Sequence, residues 1–447
     1  MKIARILPAL RRHLLTVAVV IAAGLATPWI ASSADQPAAQ ATEPVLPGFS
    51  PKKAPARGKL LLKTGDRLAI VGDSITEQKM YSRIMETYLT VCVPELQITA
   101  RQFGWSGETA EGFRSRMTND CLRFLPTVAT TCYGMNDYRY RPYNEVNARW
   151  YRSNYTEVVR AFKTAGCRVI LGSPGCVGKV AAWVKTASGT LEEHNAHLGR
   201  LRNIDIQIAA QEHVRFADVF GTMWLATSEA KKMYGPDYAV SGHDGVHPGW
   251  AGHLVMAYDY LRAMGLDGDL GTFTVNLKSG RAKATTGHTV DSFADGQLSL
   301  TSRRYPYCAA GELDKDNSIR SGMALVPFNQ ELNRLMLVVK GASAEDYRVT
   351  WGSESRVYSA KQLARGVNLA ADFVVNPFSE AFKRVDEAVA AKQAYETKQI
   401  KEVFHGQEAR ADMAGAVART EAERAPLVRA VQDAFVPVTH TLLIQAQ

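Results

Sequence analysis

After its first 34 residues the 447-residue chain has no apolar run near the ~20 residues that a membrane-spanning helix requires. Nothing beyond the N-terminus is therefore expected to cross a bilayer. No Cys-x-x-Cys pair suggests a zinc site, and neither metal nor cofactor is expected. Lysines and arginines are scattered, without a basic run or a basic–aromatic stripe, which argues against a nucleic-acid partner. There is no internal repeat. Cysteine is sparse: six residues, at 92, 121, 132, 167, 176 and 308. In an oxidising compartment the short Cys167–Cys176 interval and the Cys92/Cys121/Cys132 group would be candidates for disulfides, with a buried free thiol the alternative for Cys132.

What is present begins with an export signal. Lys2, Arg5, Arg11 and Arg12 precede an apolar core, Leu14–Leu25, and small residues follow, with Ser32 and Ala34 framing a cleavage point. Arg11-Arg12-His-Leu-Leu is similar to a twin-arginine signal, and an uncleaved signal anchor is the alternative. No cysteine near the cut offers a lipid anchor. The expectation is an exported protein, periplasmic or extracellular. Residues 1–34 carry four basic residues and no acid, so their removal brings the formal charge from +9 to +5. Residues 35–58, rich in Pro, Ala and Lys, read as a flexible linker.

From there strands alternate with helices. Strands are expected at 67–71, 96–101, 127–132, 168–172 and 214–218, and helices at 79–89, 151–165, 191–212 and 249–264. Short apolar strands alternating with helices predict a parallel sheet covered on both faces, a three-layer α/β/α domain over 59–268. After Gly265 the texture changes. Phe273–Leu277, Gln297–Leu300, Leu335–Lys340 and Tyr347–Trp351 predict a β-rich appendage over 269–352. Residues 353–447 read as mostly helical: Phe382, Val385 and Val389 share one helix face, a break falls near Pro426, and Val438–Ile444 is strand-like. A helical hairpin packed on the α/β domain is the first reading and a partner-binding helix pair the second.

Four loops carry chemistry, three of them just after an apolar run and the fourth flanked by Gly and Pro. Residues 68–77, Leu-Ala-Ile-Val-Gly-Asp-Ser-Ile-Thr-Glu, place Ser74 at a strand-to-helix turn, where its hydroxyl is exposed and its N–H faces a helix start. A helix N-cap is the competing reading of the same serine. Phe-Gly-Trp-Ser-Gly-Glu-Thr (103–109) and Cys-Tyr-Gly-Met-Asn-Asp (132–137) offer a glycine N–H at 107 and an asparagine amide at 136. Ser-Gly-His-Asp-Gly-Val-His-Pro (241–248) sets Asp244 three residues before His247, close enough to orient its imidazole. His243 adjoins Asp244, so the two side chains would diverge in an extended loop. Asp73 is expected to serve the turn, His253 to be structural, Trp105 to line a cleft or pack, and Glu77 and Glu108 to lie on a solvated face.

In that order, Gly-Asp-Ser-Ile, the glycine of Ser-Gly-Glu-Thr, Gly-x-Asn-Asp and Asp-x-x-His-Pro resemble the GDSL family of SGNH hydrolases, over roughly residues 64–266. Ile75 stands where the family name records leucine. The resemblance implies a flavodoxin-like parallel sheet. It assigns Ser74 as nucleophile, His247 as base and Asp244 as its orienting acid, with Ser74, Gly107 and Asn136 as the oxyanion hole. It also implies an exported, bacterial-type serine esterase, whose preferred substrate is an acetylated glycan or another short-chain ester. A lipid-directed esterase or lysophospholipase, an acyltransferase to a sugar hydroxyl, and a non-catalytic glycan-binding protein are the alternatives.

Overall fold

The computed structural model describes residues 46–309 and 311–447; the expected export signal and the first part of the linker lie outside them. Five strands form the central sheet: β1 (Arg67–Gly72), β2 (Thr99–Gln102), β3 (Val128–Cys132), β4 (Arg168–Gly172) and β5 (Arg215–Ala217). All neighbours are parallel, in the order β2-β1-β3-β4-β5. Every residue of β3 and all but the first of β1 is buried, as a strand covered on both faces requires.

The helices are α1 (Ser74–Glu77), α2 (Tyr81–Val91), α3 (Ala110–Asp120), α4 (Glu145–Thr164), α5 (Leu191–Glu212), α6 (Val219–Tyr234) and α7 (Trp250–Ala263). Helix α2 packs on α7, and α3, α4 and α5 pack in succession, giving the expected α/β/α layers. Buried tyrosines tie the helices to strand ends: Tyr155 donates to the Gly172 carbonyl at 2.9 Å and Tyr260 to that of Thr131 at 2.8 Å. Helices α3 and α6 are absent from the sequence reading. In α3 the run Ala-Glu-Gly-Phe-Arg-Ser-Arg-Met carries too few apolar residues for a helical stripe, and the Thr109 cap at its start marks it instead.

Residues 46–53 are not a free linker. Their backbone is held along α5: Arg200 donates to Gly48 O at 2.7 Å, Arg202 to Lys52 O at 2.8 Å, and Asn203 to Ser50 O at 2.8 Å. Polar side chains of one helix thus supply the hydrogen bonds a coil lacks. The six cysteines are all unbridged thiols, correcting the expectation of disulfides. Burial pushes Cys121 and Cys132 well above the usual thiol range.

Beyond α7 the β-rich part is larger than 269–352 and not contiguous. One sheet orders β13 (Val367–Asn368), β10 (Arg334–Lys340), β6 (Asp269–Asn276) and β7 (Arg281–Ala284). The other orders β12 (Glu354–Ser359), β11 (Asp346–Trp351), β14 (Val438–Ala446), β9 (Gln297–Ser302) and β8 (His288–Ala294). The C-terminal strand β14 therefore lies between β11 and β9, in a sheet begun some 140 residues earlier (Thr441 opposite Ser299). Between these strands run the helices Ser379–Lys398 and Met413–Ala434. The second continues through Pro426 instead of breaking there.

These helices close the open side of β2, the edge strand of the parallel sheet. Lys392, buried, donates to the Ala100 carbonyl at 2.8 Å and to Glu396 Oε1 at 2.6 Å. Glu396 Oε2 accepts from the Gln102 N–H at 3.1 Å, and Arg424 reaches the same Ala100 carbonyl at 3.2 Å. Side chains thereby satisfy edge groups that another strand would otherwise pair with. The hairpin packs on the α/β domain, and Arg83 of α2 pairs with Asp386 at 2.9 Å.

Candidate active site

All four loops singled out in the sequence lie at the carboxyl ends of the parallel strands, where open α/β sheets place ligands. Strand β1 ends at Gly72. A Cβ there would fall 2.1 Å from Thr76 Oγ1 and 2.8 Å from the Cys132 carbonyl, so only glycine lets the chain turn into α1. Asp73 caps that helix by accepting the Ile75 N–H at 3.0 Å. Ser74 is the first residue of the helix, with its hydroxyl turned toward the 241–248 loop.

Ser74 Oγ lies 2.8 Å from His247 Nε2, and His247 Nδ1 lies 2.7 Å from Asp244 Oδ2. A carboxylate only accepts, so Nδ1 carries the proton and Nε2 is left as the acceptor for the serine O–H. Asp244 Oδ1 takes the N–H groups of Val246 and His247, each at 2.8 Å, so one side chain shapes the loop and orients the ring. Burial raises the Asp244 carboxyl, but those two amides and the imidazole hold it below the ordinary value. His243 points away: it is 79% exposed and lies 3.2 Å from Asp316 Oδ2. His253 is buried between Tyr81 N–H and the Gln78 amide oxygen, and burial drives it down to about 3, a neutral structural ring.

The loop carrying Gly107 starts alongside β1, with Phe103 N–H on Ile70 O at 2.8 Å and Trp105 N–H on Gly72 O at 3.0 Å. Gly107 has φ +75°, left-handed backbone that favours glycine. Among the described residues no protein acceptor takes its N–H. Asn136 Nδ2 donates one hydrogen to the Glu108 carbonyl at 3.0 Å, and Tyr140 O–H reaches Asn136 Oδ1 at 3.4 Å. The asparagine amide is thus fixed beside the Gly107 loop with a second N–H to offer. Asp137, the next residue, braces the same corner by accepting from Ala110 N–H at 2.9 Å and Gly134 N–H at 2.8 Å.

Glu77 and Glu108 are not on a solvated face. Glu108 is buried and forked by Arg116 at 2.5 and 2.6 Å, with Tyr133 O–H at 2.8 Å. Glu77 accepts the Ser106 N–H and both oxygens meet Lys401 Nζ, at 2.7 and 2.9 Å. Lys401 sits in a π-helical turn, Gln399–Phe404, that follows the helix Ser379–Lys398. Trp105 is wedged between Lys401, Arg116 and His405, with 4.8 Å between the Trp105 and His405 rings. It packs. Of this support the sequence pointed only to the two glutamates and the tryptophan; Lys401 is 324 positions from its partner. A second aromatic, Trp183, also escaped the reading: its ring stacks on His247 at 5.8 Å. A 720 Å³ cavity lies at the other end of β1 and β2, lined by Arg67, Thr99 and Phe435 among others, and touches none of Ser74, Asp244 or His247.

A serine, a histidine and an aspartate in hydrogen-bond series at the carboxyl edge of a five-stranded parallel sheet define an α/β/α serine hydrolase. Residues 70–255 match the GDSL-like Lipase/Acylhydrolase family, so this part of the chain is a GDSL/SGNH-type domain acting on ester bonds. In fold it is similar to a gut microbial diltiazem-metabolizing enzyme, at 20% identity and TM-score 0.70, over 87% of this chain and 100% of that one. Similarity to an acetylxylan esterase from Geobacillus stearothermophilus is narrower, at 22% identity and TM-score 0.37, over 46% of this chain and 96% of that one. No curated protein matches the chain.

Proposed function

We propose that this protein is an exported serine esterase that removes acetyl or other short acyl groups from a glycan, with Ser74, His247 and Asp244 as its triad. The observation that carries the reading is the chain of two hydrogen bonds, 2.8 Å and 2.7 Å, from Ser74 Oγ through the imidazole to Asp244. Ser74 Oγ attacks the ester carbonyl carbon while Nε2 takes its proton. The N–H groups of Ser74 and Gly107 and the Asn136 amide receive the oxyanion. The intermediate collapses, the C–O bond to the alcohol breaks, and His247 returns the proton to the leaving oxygen. Water, deprotonated by the same imidazole, then releases the acid and restores Ser74.

Two features favour a glycan. Asp244 and His247 lie partly open to solvent, and an open site admits one unit of a long chain. Two additional β-sheets also extend the molecule beyond the α/β domain. Export rests on the N-terminal basic and apolar segments. Acetate release from acetylated glycans, compared with acyl esters of increasing length and with diltiazem, tests the reading. Acetylated glycans are expected to give the highest kcat/KM. A maximum at long acyl chains, or transfer of the acyl group from Ser74 to an acceptor sugar hydroxyl instead of release as free acid, would overturn it in favour of lipid hydrolysis or acyl transfer.

A further inference from the structure

Trp183 is the one Phe, Tyr or Trp among the described residues that is exposed, at 48%. Its position is specific. The indole lies 5.8 Å from the His247 imidazole, the two planes 27° apart. The loop that carries it is fastened at both ends to active-site loops. Gly178 N–H donates to Gly245 O at 2.8 Å and Lys179 Nζ to His243 O at 3.1 Å, joining it to the loop of Asp244 and His247. Ser188 N–H donates to Tyr140 O at 3.1 Å and Arg141 Nε to Thr186 O at 3.2 Å, joining it to the segment that follows Asn136. Ala181, buried, anchors the middle. A large apolar ring is thus held in place beside the imidazole while half of it stays in water.

The chemistry of the ester says what meets that ring. His247 must hand its proton to the leaving oxygen, so the alcohol half of the ester lies on the imidazole side of Ser74, while the carbonyl oxygen faces Gly107 and Asn136. The flat surface beside the imidazole is Trp183. We propose that Trp183 is the platform on which the alcohol half of the substrate, a pyranose ring, stacks while its acyl group is transferred to Ser74. A pyranose presents a patch of C–H groups on its face and hydroxyls around its rim. The indole covers the patch and leaves the rim to water and to the exposed Lys179, Arg139 and Arg141 around the site. The indole is open on one side instead of roofing a closed pocket, which lets a polymer continue past the site. The inference rests on the esterase reading above and deepens it.

The test uses wild type, Trp183→Ala and Trp183→Phe on two acetates: a peracetylated methyl pyranoside, and ethyl acetate, whose alcohol is too small to cover an indole. Trp183→Ala should lose about tenfold in kcat/KM on the pyranoside, mostly through KM, and change less than about twofold on ethyl acetate, with Trp183→Phe recovering most of the loss. The pH profile on ethyl acetate should be the same in all three proteins. Equal losses on both acetates, or a shifted pH profile, would overturn the proposal and make Trp183 a residue that positions His247. No loss on either would overturn it outright. Wild type active on ethyl acetate but not on the pyranoside would refute the sugar platform while leaving the esterase standing. Inactivity on both would instead break the esterase reading itself. Titrating Ser74→Ala with the pyranoside gives a readout without turnover: a change in tryptophan fluorescence is expected, and is expected to vanish in Ser74→Ala/Trp183→Ala. Its persistence there would also count against the proposal.

Discussion

The loop of Asp244 and His247 holds its shape with its own atoms, whereas the loop of Gly107 is held by groups from far along the chain. In the first, one carboxylate accepts two amides and an imidazole within three residues. In the second, the Ser106 amide rests on Glu77 and Glu77 on Lys401, while Glu108 rests on Arg116 and Tyr133. The base side is therefore a short-range device, partly open to water. The oxyanion side is a long-range one, resting in part on the buried Glu108, Arg116 and Tyr133, and the C-terminal region belongs to it. The difference teaches that the appended helices are part of the site's foundation.

Breaking the short-range side should cost most. Asp244→Asn removes the acceptor that fixes the imidazole tautomer, and kcat should fall by roughly 10³–10⁴-fold with the fold intact. Steady-state kinetics beside a thermal melt checks this, and near-normal turnover would mean another group orients His247. On the long-range side, Asn136→Ala should lower kcat by about 10²-fold or somewhat more, with KM changed less. A change confined to KM would make Asn136 a substrate-binding residue.

Lys401→Met tests whether the C-terminal region supports the Gly107 loop. Loosening the Glu77–Ser106 tether should lower kcat by roughly 3–10-fold at unchanged KM, with recovery in Lys401→Arg. A fall in melting temperature with unaltered kcat would confine Lys401 to stability.

The smallest effect concerns Asp73, beneath Ser74. Burial pushes its carboxyl up from 3.8 to about 8. A protonated carboxyl still offers its carbonyl oxygen to the Ile75 N–H. Between these two values the unfolded chain loses the proton and the folded one keeps it, so folding stability drops as pH rises. The melting temperature of wild type should therefore decline across this range by a few degrees more than that of Asp73→Asn. Parallel curves would show Asp73 ionised in the fold.

The same contrast explains what could be read from the sequence. Parallel strands buried on both faces are continuous apolar runs, so β1, β3 and β4 stand out; glycines and polar residues after β1 and β3 locate Ser74 and Asn136, while Gly107 and His247 are located by their own loop motifs. Asp244 and His247 announce themselves because their interaction spans three residues. Glu77 and Glu108 were misjudged because a charged residue next to a turn looks solvated until its distant partner is known. The place of β14 between β9 and β11 is likewise a long-range pairing that alternation alone cannot assign. Residues 46–53 lacked periodicity because α5, not a ladder, satisfies their backbone.

The central claim is that Ser74 becomes acylated with His247 as its base. It is tested most directly by treating the intact protein with a serine-reactive organophosphonate and locating the adduct by peptide mass spectrometry. The account predicts one adduct, on Ser74, forming in step with loss of esterase activity, absent in Ser74→Ala and strongly slowed in His247→Ala. Labelling at another residue that tracks the loss of activity, or full activity in Ser74→Ala, would contradict it.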